Sequence, residues 1–193
     1  MNYLILSGNP KKGGLCDSVQ QAVIQGAEAG GANVELFTTQ NISRCRVCGD
    51  GWGTCKQEHE CVIKDDDFSL AQEKIYRADL LCMITPVYWG EMAEGLKTLV
   101  DRLRRCESQL FSEPERTPIL KGKQVLLIAS PGGSGNGLIS CFQQMDQFCR
   151  HTGAVIFDYV SINRWNHDYK KAAVYEAAKA MSKGRIAGET FRV

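Results

Sequence analysis

The stretch Tyr3-Leu4-Ile5-Leu6-Ser7-Gly8-Asn9-Pro10-Lys11-Lys12-Gly13-Gly14-Leu15-Cys16-Asp17-Ser18 decides how this chain folds. It opens on an apolar, strand-favouring run and passes through a glycine-rich turn. Beyond it Val19, Val23, Gly26 and Ala27 recur at helical spacing. Strand, turn and helix in that order make the first half of a βαβ unit. Further strand-favouring runs lie at Val34 to Phe37, Leu80 to Ile84, Val125 to Ala129 and Val155 to Val160. Between them Leu96, Val100 and Leu103 keep helical spacing, a third helix is expected from Leu138 to Arg150, and Tyr169 to Ile186 reads as a closing helix. Five apolar strands alternating with helices imply an α/β fold, a parallel sheet buried on both faces.

The chain has 193 residues, 44% of them hydrophobic and 23% charged, which suffices for one domain with a buried core but is short for two. With no repeat or linker in view, residues 1–193 read as a single domain. Two interruptions stand out: a cysteine-rich loop at 41–64 and a polar connection from Glu107 to Gly122, punctuated by Pro114 and Pro118. A net charge of +1 argues against a nucleic-acid or membrane-surface partner, and the cluster Arg102, Arg104, Arg105 reads as the solvated face of a helix. No apolar run approaches the roughly 18 residues of a membrane span and no basic leader precedes the first strand, so the expectation is a soluble, cytoplasmic protein.

Ligands of open parallel sheets bind beyond the carboxyl ends of the strands, where strand order reverses. In the loop after the first strand, Ser7, Asn9, Gly14, Leu15 and Cys16 bring small side chains and the start of a helix together. Backbone amides there can approach an anion, and Lys11 or Lys12 adds a full charge. The plain alternative is a ligand-free turn. After the third strand, Thr85, Pro86, Val87, Tyr88, Trp89 and Gly90 set two aromatics between a proline and a glycine, which suits either a flat aromatic ligand or an interface. After the fourth, Ser130, Gly132, Gly133 and Gly135 form a wall of backbone amides or a mobile hinge. A Walker A loop fails because Gly14 and Leu15 follow Gly13, and the dinucleotide fingerprint is absent. Receiver-type carboxylates and a Cys-x5-Arg loop are missing too. His59, His151 and His167 are isolated in sequence and read as loop or surface residues.

At these three loops the chain resembles the NADPH-dependent FMN reductase family, in particular its iron–sulfur flavoprotein branch. Gly8-Asn9-Pro10-Lys11 and Gly14-Leu15-Cys16 occupy the places of the family's first loop, with Asn9, Lys11, Leu15 and Cys16 replacing its Ser, Arg, Asn and Thr. Thr85 to Gly90, followed by Lys97 and Asp101-Arg102, matches closely, and Cys61-Val62-Ile63-Lys64-Asp65-Asp66 resembles the family's Cys-x-Ile-x-Asp-Asp signature. The resemblance implies a flavodoxin-like three-layer sandwich with strand order 2-1-3-4-5. It also implies non-covalent FMN, NAD(P)H as co-substrate, a small-molecule acceptor, and a homodimer or homotetramer. The phosphate would lie on the first loop and the flavin ring on the Pro-x-Tyr segment, with the flavin carrying the chemistry.

Nine cysteines are many for such a chain, and four of them, Cys45, Cys48, Cys55 and Cys61, fall within seventeen residues. Four thiolates at that density suit a soft metal. The resemblance favours a [4Fe–4S] cluster fed by a ferredoxin-like donor, although six residues separate Cys48 from Cys55 where that branch has two. Structural zinc and unliganded thiols are the other readings. Three functions therefore stand side by side: an NAD(P)H-dependent flavin or quinone reductase, an electron-transfer iron–sulfur flavoprotein, and a flavin-free binding domain.

Overall fold

The computed structural model describes residues 1–49, 53–107, 117–133 and 135–187, so half of the insertion between Cys48 and Cys55 and most of the connection containing Pro114 lie outside the described residues. The strands are β1 (Asn2–Ser7), β2 (Asn33–Thr38), β3 (Leu80–Tyr88), β4 (Glu91–Met92), β5 (Gln124–Gly132) and β6 (Val155–Asn163). The helices are α1 (Leu15–Ala29), α2 (Phe68–Arg77), α3 (Glu94–Cys106), α4 (Leu138–His151) and α5 (His167–Ser182). The sheet runs β2-β1-β3-β5-β6, with β4 pairing only with β3. Leaving out that two-residue ribbon, the five long strands are parallel and keep the expected order.

Alternation along the strands builds two cores. Tyr3 and Ile5 of β1 face α1 and α5 with Val19, Val23, Val174 and Met181, whereas Leu4 and Leu6 face the other layer with Phe68, Leu96, Leu103 and Met145. The expectation that every strand is buried on both faces holds for β1, β3 and β5 alone. β2 and β6 are edge strands, and most of their residues are partly or fully exposed.

Three boundaries differ from the sequence reading. Thr85 to Tyr88 and Ser130 to Gly132 are the last residues of β3 and β5 rather than loops, paired through Thr85 with Ala129 and Pro86 with Ser130. The closing helix stops at Ser182. Helix α2 was not anticipated, because only Phe68, Ala71 and Ile75 of its ten residues are buried and they sit among polar neighbours.

Candidate functional site

The carboxyl edge of the sheet brings the three loops together. Gly8 donates its amide to Ile84 O at 2.8 Å. A Cβ at Gly8 would stand 2.8 Å from Leu96 Cβ, so only glycine lets the chain turn out of β1 there. Ser7 is buried and its hydroxyl donates to Gln20 Oε1 at 2.5 Å, while Asn9 closes a turn by donating Nδ2 to Lys11 O at 2.7 Å. Helix α1 begins without a side-chain cap. Its first internal bond is Ser18 N to Gly14 O, which leaves the Leu15, Cys16 and Asp17 amides with no partner inside the helix. Lys11 and Lys12 are exposed beside them. Asp17 brings the opposite charge into this cradle, its carboxylate accepting from the Gly13 amide at 3.1 Å. Cys16 is buried against Ser130, and burial raises its thiol pKa more than the hydrogen bond with Ser130 lowers it.

Thr85 works structurally, its hydroxyl donating to Pro86 O at 2.8 Å and accepting the Ala93 amide at 2.9 Å. Val87 packs on the core, but Tyr88 is half exposed and Trp89 fully so. Tyr88 pairs with Glu91 across a two-residue turn in which Trp89 (φ +52°) and Gly90 (φ +83°) are both left-handed, the geometry of a type I′ hairpin. For a tryptophan that backbone is strained. Helix α4 clamps the turn, since Ser140 donates its hydroxyl to Gly90 O at 2.8 Å and Gly137 approaches so closely that a Cβ would stand 2.5 Å from Gly90 Cα. On the far side Ser130 is buried, and Gly132 and Gly135 have positive φ.

Trp165 escaped the sequence reading. Its indole Nε1 donates to Gly133 O at 2.7 Å while its ring stays exposed, and Asn163 and Asn166 clasp the segment through mutual amide bonds. The signal was available, because Trp165 lies two residues beyond the last strand, at the same edge. His59 and His167 are not isolated: His167 shares a 2.8 Å hydrogen bond with Ser18 on α1, and His59 one of 3.0 Å with Cys106 O. A second cavity, of about 910 Å³, opens at the opposite edge between Tyr76, Glu107, Pro118 and Lys123. Its lining includes none of the glycine-rich loops.

Cys45, Cys48, Cys55 and Cys61 all line one cavity of about 20 Å³, together with Arg102 and Arg105. Cys55 and Cys61 are buried, Cys45 and Cys48 partly exposed, and Gly53 packs so closely on Cys48 that a side chain there would displace the Cys48 Sγ. Burial, then the neighbouring thiols of Cys48 and Cys61, push the Cys55 pKa up. The Val47 amide donates to Cys45 Sγ at 3.5 Å. Among the described residues no three His, Cys, Asp or Glu side chains already stand in metal-ligating geometry. Behind the cavity Arg102, 1% exposed, pairs with Asp66, 5% exposed, and donates Nη1 to Ser43 O at 3.0 Å and Nη2 to Ile63 O at 3.2 Å. Burial pushes the Asp66 carboxyl up, but hydrogen bonds from Arg102, Ser43 and the Phe68 amide outweigh it and hold the pKa at about 2.

No helix among the described residues is long and apolar enough to cross a membrane. An iron–sulfur flavoprotein of Methanosarcina thermophila is 32% identical over 134 residues, 68% of this chain but only 63% of that protein's length. Among solved structures, the apo form of an NADH:FMN oxidoreductase superposes with a TM-score of 0.67 at 13% identity, covering 97% of this chain and 91% of that one. A flavodoxin from the domain Archaea gives 0.61 at 12%, covering 95% and 98%. These two establish a flavodoxin-like fold. The family model of the NADPH-dependent FMN reductases matches residues 1–167, a span that takes in all three loops and the cysteine segment, and the chain belongs to that family.

Proposed function

We propose that the chain binds FMN at the carboxyl edge of the sheet and uses it to pass reducing equivalents from NAD(P)H to a flavin, quinone or similar small acceptor. The observation that carries this reading is the convergence of the uncapped start of α1 with the Thr85–Gly90 hairpin beside the β1/β3 switch point. FMN supplies the hydride and single-electron chemistry when bound. The first-turn amides of α1 and Lys11 neutralise the phosphate, Gly14 and Gly133 leave room for backbone approach, and Tyr88 and Trp89 offer flat faces that keep water from the ring.

The cysteine cavity favours a second function beside this one, relay of electrons through a cluster from a ferredoxin-like donor, in line with the relative named an iron–sulfur flavoprotein. Four thiols around one cavity are the donor set of a [4Fe–4S] cluster. A volume of about 20 Å³ is too small to admit it as the loop stands, so loading moves the partly exposed half that carries Cys45 and Cys48 outward. Assembly of two or four copies belongs to the same proposal.

Protein purified without oxygen and reconstituted with FMN tests both functions. Bound flavin reduced by NADPH supports the reductase, reduction by ferredoxin together with iron and sulfide supports the relay, and a chain that takes up no flavin defeats both.

A further inference from the structure

We propose that Arg102 is the positioning residue of the cysteine site: it fastens both ends of the segment 43–66 to α3 and offers its Nε N–H to the group that the four cysteines would hold. The inference rests on reading the four cysteines as cluster ligands. Three of the four Nη N–H groups are committed to Ser43 O, Ile63 O and Asp66, which lie at the start and the end of the segment. The guanidinium is further held 4.0 Å above the Phe68 ring. Nε is buried and has no hydrogen-bond partner, although Arg102 is almost wholly enclosed. A buried N–H without a partner is rare, and a group bound in the cavity would satisfy it. Arg102 lines the same cavity as all four cysteines, and the Cys61 thiol stands beside its guanidinium. Asp66 balances the charge of Arg102, so the donor can meet an anionic cluster without leaving a bare cation when the cavity is empty. An N–H aimed at a ligand sulfur stabilises the more negative, reduced cluster and raises its potential.

Two variants separate this role from general stability. Arg102→Lys keeps the charge opposite Asp66 but lacks the planar fork that reaches both carbonyls and the cavity. Arg102→Met combined with Asp66→Asn removes the ion pair as a unit, so the site's net charge is unchanged. After anaerobic reconstitution with ferrous iron and sulfide, both variants are expected to keep the FMN content of the wild type and to show a cluster midpoint potential shifted downward. A loaded variant whose potential equals that of the wild type overturns the donor role. Hydrogen exchange of residues 42–48 and 60–67 in iron-free protein reads the fastening without any cluster: faster exchange in the variants supports it, and unchanged exchange overturns it. Wild-type protein that binds FMN but no iron defeats instead the reading of the cysteines, a result distinct from either.

Discussion

Lys11 and Asp17 set opposite charges on the two sides of the cradle that follows β1. Lys11→Ala is expected to weaken FMN binding by about 1 to 3 kcal/mol, the range of one charge-assisted hydrogen bond. Asp17→Asn is expected to tighten it by roughly 0.5 to 1 kcal/mol, because a carboxylate that occupies the Gly13 amide both competes with a phosphate and repels it. Titration of apoprotein with FMN, followed by quenching of flavin fluorescence, reads both changes, and equal affinity in all three proteins would move the phosphate elsewhere. Trp89 carries strain that its contacts do not explain. Trp89→Gly is expected to stabilise the flavin-free protein by roughly 0.5 to 1 kcal/mol in urea unfolding, since glycine accepts φ +52° freely but has more chain entropy to lose. The same change should leave bound flavin more fluorescent. No gain in stability would mean that the ring makes up the strain by packing.

Among the elements, α1 and α5 lie against each other over Gly26, where a Cβ would run into the Tyr175 carbonyl. Gly26→Ala is therefore expected to destabilise the fold by about 1 to 2 kcal/mol, the overpacking cost less what alanine returns in helix propensity. A midpoint in urea at or above that of the wild type would contradict the packing. The cysteine segment is tied to α3 by a carboxylate, which makes its attachment depend on pH. Asp66 titrates at about 2 in the fold against about 3.9 for an unpaired aspartate, so its contribution of about 2 kcal/mol is present above pH 4 and lost as pH falls towards 2. Unfolding midpoints measured across that window should fall in the wild type, and Asp66→Asn, weaker throughout because Arg102 is left buried without its partner, should lack that part of the slope. The extent of β3 was hidden by Pro86, which reads as a strand breaker. Pairing of β1 with β3 ends at Ile84, so the missing N–H costs no ladder bond on that side.

For the whole molecule, FMN present at a hundred times its dissociation constant is expected to raise stability by about 2.7 kcal/mol if it binds only the folded chain. A thermal midpoint that does not move with FMN would deny the site, and flavin released from boiled protein should chromatograph as FMN rather than FAD. The sequence by itself determined the parallel sheet, its layers and the three loops at its carboxyl edge, because alternation, helical spacing and glycine turns are local patterns that a parallel βαβ chain can satisfy in few ways. It also marked the four cysteines as one group, and the tertiary structure set them around a single cavity. Only the tertiary structure decided what surrounds these sites: Arg102 reaching Ser43 and Ile63, Trp165 closing on Gly133, and Ser7 turned inward to Gln20. Whether a polar side chain is free for a ligand or already spent on the protein depends on which distant backbone carbonyl or carboxylate comes within about 3 Å of it, and that proximity is a property of the packed layers, not of residue type or spacing.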